Sequence, residues 1–195
     1  MLHPYTELRY INDQIGFGVF ATKFIPKGTI TWVIDDLDQV LEAGVVAELD
    51  KLRQETVRKY SYRNCFGQYV LCWDIGRYVN HSFCANCLTT AYDFDIAVTD
   101  INAGDELTNE YGLLNLDEPI ECIKEEGIDR TCVRQEDVLL YYHNWDKQIN
   151  DAIIHYPHVT QPLGSFLPGD VQQEVMQSIK LNQPLKSVKT LYCQS

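Results

Sequence analysis

Arg77-Tyr78-Val79-Asn80-His81-Ser82-Phe83-Cys84-Ala85-Asn86, followed later by Ile101-Asn102-Ala103-Gly104-Asp105-Glu106-Leu107-Thr108-Asn109-Glu110-Tyr111-Gly112, decides the fold of this chain. The first stretch is a polar Asn-His-Ser turn; the second ends a strand-like Glu106–Thr108 run in a lone tyrosine and a glycine. His81 beside Ser82 does not read as a nucleophile and its base, because adjacent residues on one turn point apart and a triad needs hydrogen-bond reach. Ser82 alone reads as a polar turn holding backbone groups. Asn80 and His81 together with Tyr111 read as the two halves of one site.

Composition bounds what surrounds that site. A chain of 195 residues, 45% hydrophobic and 23% charged, has enough apolar side chain for one sizeable core, so one domain with an appendage is expected. No apolar run is long enough for a transmembrane helix, so no membrane partner is expected. Met1-Leu2-His3-Pro4-Tyr5 lacks the basic and apolar regions of a signal peptide, which leads to the expectation of an intracellular protein, cytoplasmic or nuclear and chromatin-associated. Cysteines 65, 72, 84, 87, 122, 132 and 193 are odd in number and irregular in spacing, as reduced thiols would be. The net charge of -12 disfavours direct binding to nucleic acid and suits lysine- or arginine-rich partners, or simply solubility.

The chain changes character at Gly112. Before it, Leu8–Ile11, Val19–Ala21, Ile30–Ile34, Tyr60–Tyr62, Tyr69–Trp73, Leu88–Tyr92, Ile96–Val98 and Glu106–Thr108 read as short strands between turn signals. Leu37, Val40, Leu41, Val45, Leu49 and Leu52 recur at spacings that predict a helical insert over about 35–59. After it, Gln135-Glu136-Asp137 opens a helix continued by Val138, Leu139, Tyr142, Trp145 and Ile149, and a second helix starts near Asp170. The tail therefore reads as a docked helical cap.

Two local motifs are weak by themselves. Gly16-Phe17-Gly18 lacks the third glycine of a dinucleotide fingerprint and runs into strand, so it supplies a tight turn whose backbone a ligand can approach, or an ordinary hairpin. Cys84-Ala85-Asn86-Cys87 has the spacing of a metal or redox pair, but no thioredoxin-like elements flank it. Cys122 and Cys132, nine residues apart, are poorly spaced to complete a zinc site.

Four runs in order give the chain a family resemblance. Gly16-Phe17-Gly18-Val19-Phe20-Ala21, Ile25-Pro26-Lys27-Gly28-Thr29-Ile30, Arg77 to Asn86 and Ile101 to Gly112 resemble the successive motifs of the SET-domain protein lysine methyltransferases. The resemblance implies a mainly β fold with α additions, the SET-domain (β-clip) arrangement of several small sheets, with the Asn-His turn and the Tyr111 strand threaded into a pseudoknot. It implies a catalytic domain over 1–112, then a degenerate post-SET segment and helical extension over 113–195. It also implies S-adenosylmethionine as cofactor, bound by Gly16, Phe17, Gly18, Tyr60, Arg77, Asn80 and His81, with Tyr111 catalytic. Tyr60 equally suits a core position on a strand.

The chemistry so implied needs few ionisable groups. Methyl transfer to an amine is an in-line displacement, so the site must align the reacting atoms and exclude water. An aromatic-walled channel lowers the lysine pKa and makes the neutral amine accessible, while Tyr111 orients it and is not a base. A lysine-containing basic segment, such as a histone or ribosomal protein tail, is the implied substrate. A SET-fold binding module without turnover, or a protein dimerising through its C-terminal helices by Tyr142, Trp145 and Ile149, are the alternatives.

Departures from the family pattern concern the lid. Phe83 and Ala85 stand where many members have cysteine and proline. The post-SET cysteine cluster aligns with Cys122, Lys124 and Asp129, followed by Arg130, so loss of the zinc is expected, with a site rewired through Cys84, Cys87, Cys122 and Cys132 as the minority reading. Asn109 occupies a position where several relatives carry the Phe or Tyr that governs the number of methyl groups.

Overall fold

A computed structural model describes residues 1–193. Strand β1 (Thr6–Asn12) turns into β2 (Gly16–Ala21), and β3 (Ile30–Val33) follows. An insert contributes β4 (Gln39–Leu41), α1 (Ala43–Ala47), α2 (Lys51–Tyr60), β5 (Ser61–Arg63) and β6 (Tyr69–Leu71). The chain continues through β7 (Asn80–His81), β8 (Cys87–Thr89), β9 (Phe94–Ala97) and β10 (Glu106–Asn109). The second part holds a two-residue hairpin, β11 (Ile120–Glu121) with β12 (Cys132–Val133), then α3 (Asp137–Ile153) and α4 (Gly169–Leu181).

A seven-stranded sheet runs β1-β2-β10-β8-β9-β3, with β7 also paired to β10. The insert makes its own three-stranded sheet, β4-β6-β5. The expected mainly β architecture of small sheets with helical additions is the architecture found.

The helix predicted across Leu37 to Leu52 is a strand and two short helices. Val40 pairs with Val70 across the small sheet, so tertiary pairing of a β-branched residue overrides its helical spacing. Asp50 starts a new helix by accepting from Arg53 N at 3.0 Å, which breaks any continuous one. Leu37, Val40, Val45 and Leu52 are exposed, and only Leu41 and Leu49 of the apparent stripe pack, against a small cluster of Val46, Val57 and Tyr69. Gly16-Phe17-Gly18 is also different: it is the first half of β2, and the turn precedes it, closed by Asn12 Oδ1 on the Gln14 and Ile15 amides.

The tail docks as expected. Val138, Trp145, Ile149, Ala152 and Ile153 of α3 form one buried stripe that shares a core with Ile30, Val33, Leu88, Phe94 and Ile96 of the sheet. Gly28, at φ +89, passes so close to the end of α3 that a Cβ would lie 2.7 Å from His155 Cβ and 2.9 Å from Ala152 O. Gln161 then caps the sheet, accepting from Ile30 N at 2.9 Å and donating to Gly28 O at 2.8 Å. The two parts of the chain thus bury one core between them. Trp145 and Ile149 are consumed by that core and are not presented to a partner.

Removing part of this shared core tests the packing. Ile149→Ala should cost about 2–5 kcal/mol, as buried aliphatic truncations do. Urea denaturation followed by tryptophan emission should show one earlier transition. A separate transition for the helices, or an unchanged midpoint, would contradict a shared core.

Candidate active site

The site is made by a threading of strands. Thr108 and Asn109 of β10 run parallel to Asn80 and His81 of β7, while Asn109 also pairs with Cys87 of β8. Ser82 N donates to Asn109 O at 3.1 Å. Strand β10 therefore lies between the two ends of the 80–87 segment, which satisfies the backbone of both short strands. The sequence gap between the Asn-His turn and Tyr111 closes here.

Tyr111 emerges from that threading with both its polar ends engaged. Its amide donates to His81 Nδ1 at 3.2 Å, and its hydroxyl donates to Val79 O at 2.7 Å. Burial pushes the phenol up to about 12. With its proton spent on Val79, the oxygen keeps its lone pairs as an acceptor, and it is no base at neutral pH.

The glycine strand is fixed by Asn80. The amide of Asn80 donates to Phe17 O at 3.0 Å and to Glu106 Oε1 at 2.7 Å, so both of its hydrogens are used inside the protein. Gly18 must be glycine for that reason, since a Cβ would lie 2.4 Å from Glu106 Oε1 and 3.0 Å from Asn80 Nδ2. Gly16 has φ +84, and the space beside it is open. Phe17 is exposed and meets Tyr78 edge-on at 6.1 Å; Tyr78 in turn meets Tyr60 at 5.5 Å.

Tyr60, Arg77, Val79 and Tyr111 line one cavity, whose far wall is Trp32, Tyr62, Asp95 and Asn109. Of the residues expected from sequence, the structure therefore gathers Tyr60, Arg77 and Tyr111 at the cavity. Asn80, Gly16, Phe17 and Gly18 join it through bonded and stacked neighbours. His81 stands behind Tyr111, their ring centroids 5.3 Å apart.

His81 accepts at Nδ1, so its proton sits on Nε2, which is buried without a partner. Burial holds the imidazole at about 4, against the pull of Glu125. Behind it lies Glu110, fully buried, which accepts from Gly112 N at 3.0 Å and from Arg130 at 2.8 Å. Burial pushes the Glu110 carboxyl up, and Arg130 opposes that shift.

Arg130 is the residue on which the lid closes. Its guanidinium also donates to Asp137 Oδ2 at 2.7 Å and lies over the rings of Phe83 at 4.5 Å and Tyr141 at 4.3 Å. Glu125 adds a second fastening: its carboxylate accepts from Ser82 Oγ at 3.0 Å, Phe83 N at 2.8 Å and Cys84 N at 3.3 Å. Phe83 is thus sandwiched between His81, 4.4 Å away, and the Arg130 cation.

Lys124 and Asp129, aligned with lost cysteines, are exposed on this hairpin. Among the described residues no three His, Cys, Asp or Glu side chains are gathered as a metal site, and Cys84 is exposed while Cys87 is buried in the sheet.

The threaded strands and the acceptor tyrosine coincide with a known family. The SET-domain family model matches residues 16–112. This chain is a SET-domain protein. SET domains are in general S-adenosylmethionine-dependent protein lysine methyltransferases, so the chain falls in a methyltransferase family. A solved structure of a candidate histone methyltransferase from Plasmodium falciparum is similar at 18% identity and a TM-score of 0.43, over 57% of this chain and 96% of that one. A likeness of that strength adds no argument about this SET domain's activity.

The residues of this SET domain fit S-adenosylmethionine. Open space beside Gly16 leaves its backbone approachable, Phe17 offers an exposed ring, and Arg77 brings a cation to the cavity for a carboxylate. Sequence reasoning passed over Glu110, Glu125 and Asp95. The one available signal was an acidic residue directly before the tyrosine at the end of the strand.

The state of His81 is directly measurable. Ring-nitrogen NMR should show His81 neutral, with the proton on Nε2, down to about pH 4. Its folded pKa lies below the ordinary value of 6.5, so the unfolded chain binds the extra proton between those limits and stability falls as pH drops through that window. His3, also held at about 4, adds to that slope and Asp95, raised to about 6, opposes it. The His81 part is therefore read as the difference between wild type and His81→Asn. Protonation of His81 near pH 6.5 would contradict the geometry.

Proposed function

We propose that this SET domain transfers a methyl group from S-adenosylmethionine to the ε-amine of lysine in a basic protein segment, such as a histone or ribosomal protein tail. The observation that carries this reading is Tyr111: its hydroxyl proton is donated to Val79 O, and its side chain lines the same cavity as Tyr60 and Arg77. The cofactor supplies, when bound, a methyl group carried on a sulfonium. Everything else falls to the chain.

Arg77 would hold the cofactor's carboxylate and Phe17 would offer its ring to the base, on a backbone that Asn80 holds in place. The cavity wall of Trp32, Tyr60, Tyr62 and Leu114 excludes water from the lysine side chain. Desolvation there costs the ammonium more than the amine, which favours the nucleophilic form. Tyr111 Oη accepts from the amine and sets its line of attack. The net charge of -12 draws basic segments and repels phosphate backbones, so the partner is a protein and not nucleic acid. Such a substrate places the protein inside the cell, in cytoplasm or on chromatin. A binding module without turnover would keep the fold but has no use for a tyrosine oxygen held as an acceptor at this cavity.

Labelled S-adenosylmethionine with a cell lysate, and mass spectrometry of the labelled residue, tests the reading: methyl-lysine is expected, and no labelled protein or label on another residue would overturn it. Tyr111→Phe should cut turnover on the order of 10²-fold or more through lost alignment, with cofactor binding by calorimetry nearly intact. Asn80→Ala should weaken cofactor binding about tenfold, roughly 1.4 kcal/mol, because the glycine strand loses its tether. An unchanged dissociation constant would remove Asn80 from that role.

A further inference from the structure

The cavity shared by Tyr60, Arg77 and Tyr111 has one carboxylate in its lining. Asp95 on β9 lines the cavity with Trp32, Tyr62, Cys72, Asn109 and Tyr111. One of its oxygens, Oδ2, accepts from Asn109 Nδ2 at 2.9 Å. The other, Oδ1, is buried with no partner in the protein. A buried carboxylate oxygen left unpaired costs on the order of 1–3 kcal/mol or more, so a sheet strand does not carry one there without a compensating partner.

Asn109 explains why the carboxylate is so placed. Its second amide hydrogen goes to Thr89 Oγ1 at 3.0 Å, and its carbonyl accepts from Glu110 N at 2.8 Å. Both of its amide hydrogens are therefore used inside the protein. What it does is hold Asp95 by one oxygen and turn the other loose. Trp32, directly across from Asp95 in the β3–β9 register, brings a second unpartnered buried atom, its indole Nε1, to the same cavity. The rest of the lining mixes aromatic and apolar side chains with Ser61, Thr89 and the cations Arg58, Lys59 and Arg77.

We propose that Asp95 determines the specificity of this site: its free Oδ1 accepts a hydrogen from the target nitrogen, so that only nitrogens still carrying N–H are seated and methylation stops at the dimethyl stage. The inference rests on the lysine methyltransferase reading and names which methylation states that site accepts. A neutral primary amine gives one N–H to Tyr111 Oη, a second to Asp95 Oδ1, and points its lone pair at the methyl group. That lone pair forms the N–C bond, the C–S electron pair returns to sulfur, and the nitrogen keeps its hydrogens as a methylammonium. After loss of one proton to solvent the monomethylamine retains a single N–H, and Asp95 holds it for a second transfer. The neutral dimethylamine has no hydrogen to give. Seating it would leave Oδ1 unpaired beside a methyl group, which is the arrangement the site penalises most.

The charge state of Asp95 agrees with an accepting role. Burial pushes its carboxyl up to about 6, opposed by the nearby Thr89 hydroxyl, which does not reach hydrogen-bond geometry with it, and by the Asn109 amide, so it is mainly ionised at neutral pH. The titratable groups around it are Tyr62, Cys72 and Cys87, which burial pushes up, and the N-terminal amine. No other carboxyl faces it in the cavity lining.

Carbon NMR of protein labelled at aspartate carboxyls, without cofactor, tests the acceptor directly, with Asp95→Asn identifying the signal and the wild-type titration near pH 6 identifying it independently. The probes are n-butylammonium, its N-methyl and N,N-dimethyl forms, and n-butyltrimethylammonium. The first three should shift the Asp95 signal and lower its midpoint, and the trimethyl form should bind at least about tenfold more weakly, the 1.4 kcal/mol equivalent of one hydrogen bond to a charged group. Equal binding of the trimethyl probe, or no response of Asp95 to any probe, would overturn the proposal. With a methylated substrate in hand, wild type should arrest at dimethyl-lysine and Asp95→Ala should proceed to trimethyl-lysine; trimethylation by wild type would equally overturn it. Absence of any methyl transfer counts against the methyltransferase reading, and the amine titration then decides the role of Asp95 by itself.

Discussion

The Arg130 guanidinium lies between two carboxylates, Glu110 at 2.8 Å and Asp137 at 2.7 Å, and against the faces of Phe83 and Tyr141. Each partner comes from a different part of the fold: Glu110 follows the threaded strand β10, Phe83 belongs to the loop it passes through, and Asp137 and Tyr141 begin helix α3. A single planar cation thus ties the threaded strands to the tail. Removing one partner from a buried pair of this kind is costly, on the order of 3–5 kcal/mol, because the remaining charge stays buried and unpaired. Glu110 is the exposed flank of that argument in energetic terms, since its carboxyl is fully enclosed and already resists ionisation.

The clasp also accounts for the departures in the post-SET region. Phe83, where relatives place a cysteine, is not a neutral replacement: its ring is the platform for Arg130 and packs edge-on against His81. Glu125 gathers the Ser82, Phe83 and Cys84 donors on one carboxylate. Together these contacts bring the 120–133 hairpin onto the Asn-His turn by charge and stacking, with helix α3 packed behind. The result reaches Tyr111, because Glu110 caps the turn that holds it and His81 accepts from the Tyr111 amide.

The fold was legible where short motifs coincide with short-range constraints. The β1, β2, β3, β8, β9 and β10 strands, the onset of α3 and the start of α4 follow from local alternation, glycine placement and helical spacing. The insert was misread because Val40 obeys its partner Val70, not its own spacing. Within the site, Tyr60, Arg77 and Tyr111 line one cavity while Gly16, Phe17, Gly18, Asn80 and His81 lie beside it, and their tasks needed geometry: Asn80 spends its amide on Phe17 and Glu106, and serves the glycine strand. Asp95, Glu110 and Glu125 were silent because an isolated acid in a sequence reads as solvent-facing. Only the threading and the docked helix show that Asp95 and Glu110 are enclosed and Glu125 is occupied.

The central claim is that the Arg130 clasp fastens the lid to the threaded strands as one unit. Residue-resolved amide exchange in wild type and Arg130→Ala tests it most directly. The account predicts that protection falls together at Gly112, whose amide is on Glu110, at Phe83 and Cys84, whose amides are on Glu125, and at Arg134, whose amide is on Asp137. Loss confined to Arg134, with Gly112, Phe83 and Cys84 protected as in wild type, would contradict it.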